Sequence, residues 1–282
     1  MKRGVMKRGV MKRRAERLPM GALAIAAVAL AFFALPLLGL LWRAPWSQAS
    51  SILREPAVRS ALRLSLVCSL CATALSVLFG VPLAWLLARA QFPGIRVARA
   101  LCTLSMVLPP VVAGVALFSA LGRRGIAGQW LDRWFGLRLP FTTAGVILAE
   151  TFVAMPFLVL TVEAALRQYD RRIEEAAATL GASGWYVFRR VTLPAVRSAL
   201  VAGAVLAWAR ALGEFGATIT FAGNFPGRTQ TLPLATFLAL ETRPEAAIIL
   251  SLLLVTVSFV VLIGLRDRWL NPGGLPTGNH RP

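Results

Sequence analysis

Two charged residues, Arg210 and Glu214, stand four positions apart within a long apolar run that ends at Phe215. In a helix this spacing places them one turn apart on the same face, where a guanidinium and a carboxylate can form an ion pair. Either charge costs roughly 2.5 to 3.5 kcal/mol at the centre of a membrane helix, so both are expected to face a helix bundle or a watery cavity. The pattern therefore predicts an internal ion pair.

The residues that catalysis or metal binding requires are scarce. Cys68 and Cys71 have C-x-x-C spacing, but they lie in the apolar run 62–87 without a second ligand pair, which indicates buried small side chains. The single histidine, His280, lies in a polar tail, and no Ser/His/Asp or Cys/His set can be assembled. No G-x-x-x-x-G-K-[ST] phosphate-binding loop is present. The chain is predicted not to be an enzyme.

The elements that must position these residues are long apolar stretches. The chain is 57% hydrophobic, its mean hydropathy is +0.68, and Gly and Pro interrupt the stretches as they do in membrane helices. Each stretch can cross a hydrocarbon layer of about 30 Å at roughly 1.5 Å per residue. The first has no clear signal-peptide cleavage site and is predicted to remain as a span. We predict an all-α integral membrane protein with six transmembrane helices, at 20–42, 62–87, 100–121, 143–162, 195–215 and 246–265.

The basic residues favour one orientation of these spans. The formal net charge of +19 would suit nucleic acid, but Lys and Arg lie between the apolar runs, so we expect membrane lipid rather than nucleic acid beside the chain. With the N-terminus inside, the inner segments hold 20 basic residues and the outer loops 10. This bias predicts that both termini are cytoplasmic. The predicted parts are a basic cytoplasmic arm (1–19), a transmembrane domain (20–266) and a cytoplasmic tail (267–282).

The most informative segment is the inner loop 167–194. Asp170 can cap a helix whose first turn carries Glu174 and Glu175, where carboxylates suit the helix dipole. Gly181 then breaks the helix, and an apolar set follows that includes Trp185. Because so short a helix has too little apolar surface to stand alone, we expect it to pack on a partner protein.

This loop resembles the signature of ABC importer permeases. It reads Glu175-Ala176-Ala177, then Gly181, then Val191 and Leu193-Pro194, with Val in place of the more frequent Ile. The resemblance implies a type I ABC importer permease fold in which the loop forms a coupling helix that docks on a cytoplasmic ATPase subunit. The residues expected to make this coupling are Glu174, Glu175, Ala176, Ala177, Gly181 and Trp185.

A second stretch resembles molybdate-type permeases. The run from Arg210 through Leu212-Gly213-Glu214-Phe215-Gly216-Ala217-Thr218 is followed by Asn224, Pro226-Gly227 and Thr229. The resemblance spans most of residues 55–266 and implies an ATP-driven oxyanion importer, with molybdate as the expected substrate and sulfate or tungstate as alternatives. The implied gate and pathway residues are Arg210, Gly213, Glu214, Gly216, Thr218 and Asn224.

The resemblance also implies an assembly. It comprises a homodimer of this chain, two cytoplasmic ATPase subunits and a periplasmic or lipid-anchored oxyanion-binding protein, in a bacterial or archaeal cytoplasmic membrane. This chain would hold no cofactor, since ATP and magnesium would be bound by the ATPase partner. Arg210 is expected to hold Glu214 rather than an anion, because selectivity in such importers lies in the binding protein. An ion-coupled secondary transporter is the alternative, but it would need more ionisable groups at the midplane.

Overall fold

The computed structural model describes residues 20–91 and 93–270, and within these ranges the ordered elements are all helices. The basic arm 1–19, the residues from 271 onward and His280 lie outside the described residues. The first helix, α1 (Met20–Arg43), forms a unit of its own. Its apolar side chains are exposed along nearly its whole length, as expected of a helix that faces lipid.

The rest of the described chain forms a second unit. It contains thirteen further α-helices and one π-helical turn, Phe188–Thr192. The helices are α2 (Trp46–Arg54), α3 (Pro56–Arg89), α4 (Ile95–Val107), α5 (Pro110–Leu121), α6 (Gly128–Phe135), α7 (Thr143–Gln168), α8 (Arg171–Thr179), α9 (Gly184–Val187), α10 (Leu193–Ala195), α11 (Arg197–Leu212), α12 (Gly216–Ala222), α13 (Leu232–Thr242) and α14 (Pro244–Leu270).

The centre of this unit is formed by α3, α7 and α11, which pack against one another. Small side chains fill the contact, so the backbones approach closely, as is common between membrane helices. Ala72 and Ala84 of α3, Ala154 of α7, and Ala207 and Ala211 of α11 are all completely buried. This core holds the two segments singled out by sequence, since one follows α7 and the other ends α11.

Four helices are long and apolar enough to cross a membrane, and they match predicted spans: 20–43, 56–89, 143–168 and 244–264. The predicted fifth span corresponds to α11, which makes a fifth candidate together with the bent segment before it. The predicted third span, 100–121, is two shorter helices, α4 and α5. Pro109 and Pro110 each lack a backbone N–H, so the helical hydrogen bonds stop there and α5 begins anew at Pro110.

One ion pair fastens the start of α3 to the start of α14. Arg243 donates to both carboxylate oxygens of Glu55, at 3.0 and 2.8 Å. The hydrogen bond from Arg243 lowers the pKa of Glu55, although partial burial opposes this shift. Glu55 precedes α3 while Arg89 ends it, so this clasp lies at the end of the bundle opposite the loop 167–194.

Candidate functional site

The loop 167–194, hereafter the EAA loop, folds as predicted around α8. The Asp170 side chain accepts a hydrogen bond from the Arg172 N–H at 3.0 Å and caps the helix. Gly181 has φ of +84°, the left-handed conformation that ends helices and favours glycine. Ser183 then caps α9, and the segment 184–195 is bent by 75° from α11. The loop therefore runs across the end of α11 rather than along it.

Glu174 fastens α8 to the bundle. Its Oε1 accepts hydrogen bonds from Arg89 Nη2 at the end of α3 and from Thr192 Oγ1 in the π-helical turn, both at 3.0 Å. The Arg89 and Glu174 side chains are 12% and 14% exposed, so water competes little for this pair. Burial, and after it the negative charge of the Glu174 carboxylate, raises the pKa of Tyr169, which keeps the phenol protonated. Glu174 is thus an internal anchor.

Glu175 points the other way. Its side chain is 63% exposed, and among the described residues its one ion pair is with the exposed Arg171, at 3.2 Å and one helical turn away. Ala176 is exposed and Ala177 half-buried. Glu174 and Glu175 were predicted to share one coupling role, but they lie in different surroundings. Glu175 is free to contact another protein, while Glu174 holds the helix that presents it.

The segment from α8 to α9 also presents a set of exposed apolar side chains, hereafter the loop face. It consists of Ile173, Leu180, Trp185 and Tyr186, all exposed, and the Trp185 ring stacks on Phe188 with centroids 5.7 Å apart. No residue of α8 is buried. Trp185 was predicted, whereas Ile173 and Leu180 were missed, although their separation of seven residues, two helical turns, was a visible signal. Exposed aromatic and aliphatic groups on an anchored loop are typical of a protein-binding surface.

The predicted ion pair of α11 is present. Arg210 Nη1 lies 2.5 Å from Glu214 Oε2, and Glu214 is 1% exposed. The other carboxylate oxygen accepts a hydrogen bond from the Ala217 N–H at 2.7 Å. One carboxylate therefore ties the end of α11 to the start of α12 across the break at residues 213–215.

The break after α11 faces the break before α5. A Cβ atom added at Gly216 would lie 2.7 Å from Pro110 Cβ, so only glycine permits this approach. A Cβ at Gly213 would meet only Ala209 O of its own helix, at 3.6 Å, among the described residues. Close packing through glycine is therefore present at Gly216, whereas at Gly213 nothing outside its own helix comes so near among the described residues. A Cβ atom added at Gly114 of α5, which was not singled out from the sequence, would lie 2.8 Å from Ala217 O and closer still to Thr220 Oγ1.

The remaining predicted pathway residues lie beyond this contact. Thr218 is completely buried, and its hydroxyl has no partner among the described residues. Asn224 is half-buried in the loop after α12, where the Thr229 hydroxyl accepts a hydrogen bond from the Phe225 N–H at 2.9 Å. Glu150 of α7, which was not among the predicted pathway residues, is 1% exposed, and its Oε2 is unpartnered within the described ranges. In this conformation Thr218, Glu150 and Glu214 are closed off from solvent, whereas Arg210 and Asn224 remain partly exposed.

The C-x-x-C cysteines, Cys68 and Cys71, lie on α3. Among the described residues no group of three or more His, Cys, Asp or Glu side chains could hold a metal ion. Cys68 is buried in α3 and Cys71 half-buried, and both are free thiols on a packed helix. Small side chains on a packed helix are what the sequence predicted for this spacing, with Cys71 less buried than Cys68.

Known proteins share this sequence and fold. Residues 80–273 match the family of binding-protein-dependent transport system inner membrane components. The chain is 46% identical to a molybdenum transport system permease protein of Mycobacterium bovis, over 83% of this chain and 88% of that one. It is 38% identical to a sulfate transport system permease protein of Escherichia coli, over 78% and 81%.

A crystal structure of a bacterial ABC transporter involved in import of the acidic polysaccharide alginate has the same fold. Its TM-score is 0.69 at 17% identity, with 89% of this chain and 94% of that one covered. The family match covers more than half of the chain, and its EAA loop and paired helix breaks lie within the matched residues. The chain therefore belongs to the family of binding-protein-dependent transport system inner membrane components and is a permease component of an ABC transporter.

Proposed function

We propose that this chain is the transmembrane subunit of an ATP-driven importer of tetrahedral oxyanions, with molybdate as its substrate. The support is the 46% identity to a protein named for molybdenum transport, together with the matching residues from Arg210 to Thr229. Sulfate is the second candidate, because a sulfate permease protein is 38% identical over a similar length.

The EAA loop carries the proposal of ATP coupling. It is fixed to the bundle by Glu174 and presents Glu175 and the loop face outward, so a partner that binds there could move the bundle without first ordering the loop. We propose that the partner is a separate cytoplasmic ATPase subunit, which holds the ATP and magnesium. Two copies of this chain would carry two such subunits, with both termini cytoplasmic and a binding protein docked on the opposite side.

The anchors define how movement would reach the gate. The π-helical turn leads through α10 into α11, and Glu174 also bonds to α3, so a displaced loop pulls on two core helices. At the far end of α11, Glu214 passes the movement to α12, which packs on α5. Closure of the two ATPase subunits would thereby switch the gate, formed by the helix breaks of two copies of this chain, from inward-facing to outward-facing. Arg210 serves this link by neutralising Glu214 and is not assigned to bind the anion.

The coupling proposal is tested with Trp185→Ala. Trp185 is 69% exposed on the loop face, and Trp134 of α6, beyond the opposite end of α3 and α7, is 71% exposed and serves as the matched control. Removing a central aromatic contact typically costs at least about 2 kcal/mol of binding free energy, so we expect Trp185→Ala to weaken the affinity for the ATPase roughly thirtyfold. Copurification of the ATPase with this chain reports the loss. Trp134→Ala should leave it unchanged. Equal affinity for both variants and the wild type would refute the docking site, and ATP-independent uptake would favour a secondary transporter.

The substrate is tested in proteoliposomes that contain this chain with its ATPase and binding protein. We expect ATP-dependent uptake of molybdate, competition by tungstate, and weak competition by a tenfold excess of sulfate. Uptake of sulfate in preference to molybdate would reassign the substrate while leaving the ATP-driven mechanism intact.

A further inference from the structure

A cavity lined by arginines lies beside the EAA loop. It has a volume of about 590 Å³ and opens where α3 and α7 end and α4 begins. Among the described residues its walls contain no acidic side chain but five arginines: Arg89, Arg96, Arg99, Arg167 and Arg171.

Carboxylates behind the wall neutralise only part of this charge. Glu163, which is 6% exposed in its side chain, accepts hydrogen bonds from Arg99 Nε at 3.1 Å and from Arg167 Nε at 2.9 Å. Both arginines also donate to the Leu87 carbonyl, at 3.1 and 3.0 Å. One carboxylate thus serves two guanidinium groups, which leaves this trio with a net charge of +1. Glu163 therefore orients these two cations.

The other wall residues add to the positive charge. Arg89 is balanced by Glu174 and Arg171 by Glu175, but Arg96 is exposed and forms no ion pair within the described residues. The cavity therefore carries a net charge of about +2, and two of its guanidinium groups, those of Arg99 and Arg167, are held in fixed positions by their bonds to Glu163 and Leu87. Two or more preoriented guanidinium groups around an open space suit an anion with several oxygens, such as phosphate.

The position of the cavity indicates where such an anion would come from. Helices of membrane-spanning length end at its rim, at Arg89 and Gln168, so the cavity lies at the depth of the lipid headgroups. Basic pockets between helices at this depth attract anionic headgroups. We propose that the arginine cavity binds a phosphate group, supplied by the headgroup of an anionic phospholipid. Its placement in the cytoplasmic leaflet rests on the orientation in the proposed function.

The test measures binding of phosphatidylglycerol and of phosphatidylcholine with the same acyl chains to the purified full chain by native mass spectrometry. A second arm adds inorganic phosphate, which has the same oxygens without the lipid. Arg96→Gln is the informative variant, because the exposed Arg96 side chain makes no hydrogen bond or ion pair with the part of the chain that the structure describes. Losing one charge-assisted contact should weaken phosphatidylglycerol binding about tenfold. Arg197→Gln, an exposed arginine on the same side but outside the cavity, is the matched control and should have no effect.

The outcomes separate the sources. Preference for phosphatidylglycerol that Arg96→Gln removes supports the lipid headgroup, whereas binding of inorganic phosphate with the same dependence on Arg96 supports the site with a soluble ligand. Equal losses in Arg96→Gln and Arg197→Gln, or no Arg96-dependent binding, would overturn it. Release of the lipid when the ATPase binds would assign the cavity to that protein and would also overturn it. Lipid binding without ATPase copurification would refute only the proposed function and the leaflet.

Discussion

The anchor at Glu174 allows a prediction that separates holding the EAA loop from binding its partner. Glu174→Gln keeps the shape of the side chain but removes the charge that Arg89 faces. Arg89 Nε already lacks an acceptor among the described residues, so no second carboxylate is at hand to replace Glu174 as the partner of this guanidinium. Because no side chain of α8 is buried, few apolar contacts replace the lost anchor. We expect α8 to detach locally while the bundle remains folded.

The size of the effect follows from the two hydrogen bonds at Glu174 Oε1. A bond to a charged group contributes about 1.5 to 3 kcal/mol, and breaking a buried pair costs roughly 3 to 5 kcal/mol. Since both side chains retain slight exposure, the lower figure of about 3 kcal/mol applies, which is roughly a hundredfold shift between docked and detached loop. In Glu175→Gln the lost pair is exposed on both sides and contributes at most about 0.5 kcal/mol.

Amide hydrogen exchange of residues 171–179 in the isolated chain measures this equilibrium. We expect exchange to accelerate roughly a hundredfold in Glu174→Gln and about twofold in Glu175→Gln. Arg89→Met should reproduce the effect of Glu174→Gln, and the double variant should cost less than the sum of the two. The reasoning is refuted if α8 exchanges at the wild-type rate in Glu174→Gln, or if Glu175→Gln is equally fast.

Three further changes test other contacts. Gly216→Ala should destabilise the chain by about 1 to 3 kcal/mol because its Cβ meets α5, whereas Gly213→Ala should change the thermal midpoint little; equal effects would contradict the close contact. Gly181→Ala should cost about 1 kcal/mol through backbone strain alone, with Gly181→Asn milder, as measured by chemical denaturation. Glu55→Gln should cost about 0.5 kcal/mol at neutral pH, since the pair with Arg243 is largely exposed. The pKa of Glu55 is lowered on folding, so this contribution is fully present above the unfolded pKa of about 4.3 and is lost as the pH falls through the lower pKa of the folded state. A stability difference between Glu55→Gln and wild type that grows in acid would refute the assignment.

The long helices and the two ends of α8 follow from the sequence alone. An apolar run of span length in lipid has no alternative to a helix, and Asp170 and Gly181 act through local geometry that their residue types fix. The ion pair of Arg210 and Glu214 is also local, because four residues of one helix set its geometry. The bounds of α1 were predicted to within one residue, whereas α3 begins six residues before its predicted span and α7 ends six residues after its own.

Features that depend on distant contacts were not predicted. Which of Glu174 and Glu175 faces inward is decided by Arg89, 85 positions before Glu174, and nothing in the local pattern distinguishes them. The helices α12 and α13 are shorter than a span and lay in a segment interpreted as an outer loop, so their apolar residues gave no clear signal. The arginine cavity likewise gathers residues from α3, α4 and α7 that are scattered along the chain.

The facing breaks at Pro109 and at residues 213–215 also restrict how the subunit can sit among its neighbours. The first turns of α5 and α12 follow breaks, so their peptide N–H groups have no acceptor in a preceding helical turn. At α12 the Glu214 carboxylate accepts a hydrogen bond from the Ala217 N–H instead. Hydrocarbon could not satisfy such groups, and each one left without a partner there would cost several kcal/mol. Keeping both breaks against protein avoids this cost, which restricts how the subunit can be rotated about the membrane normal.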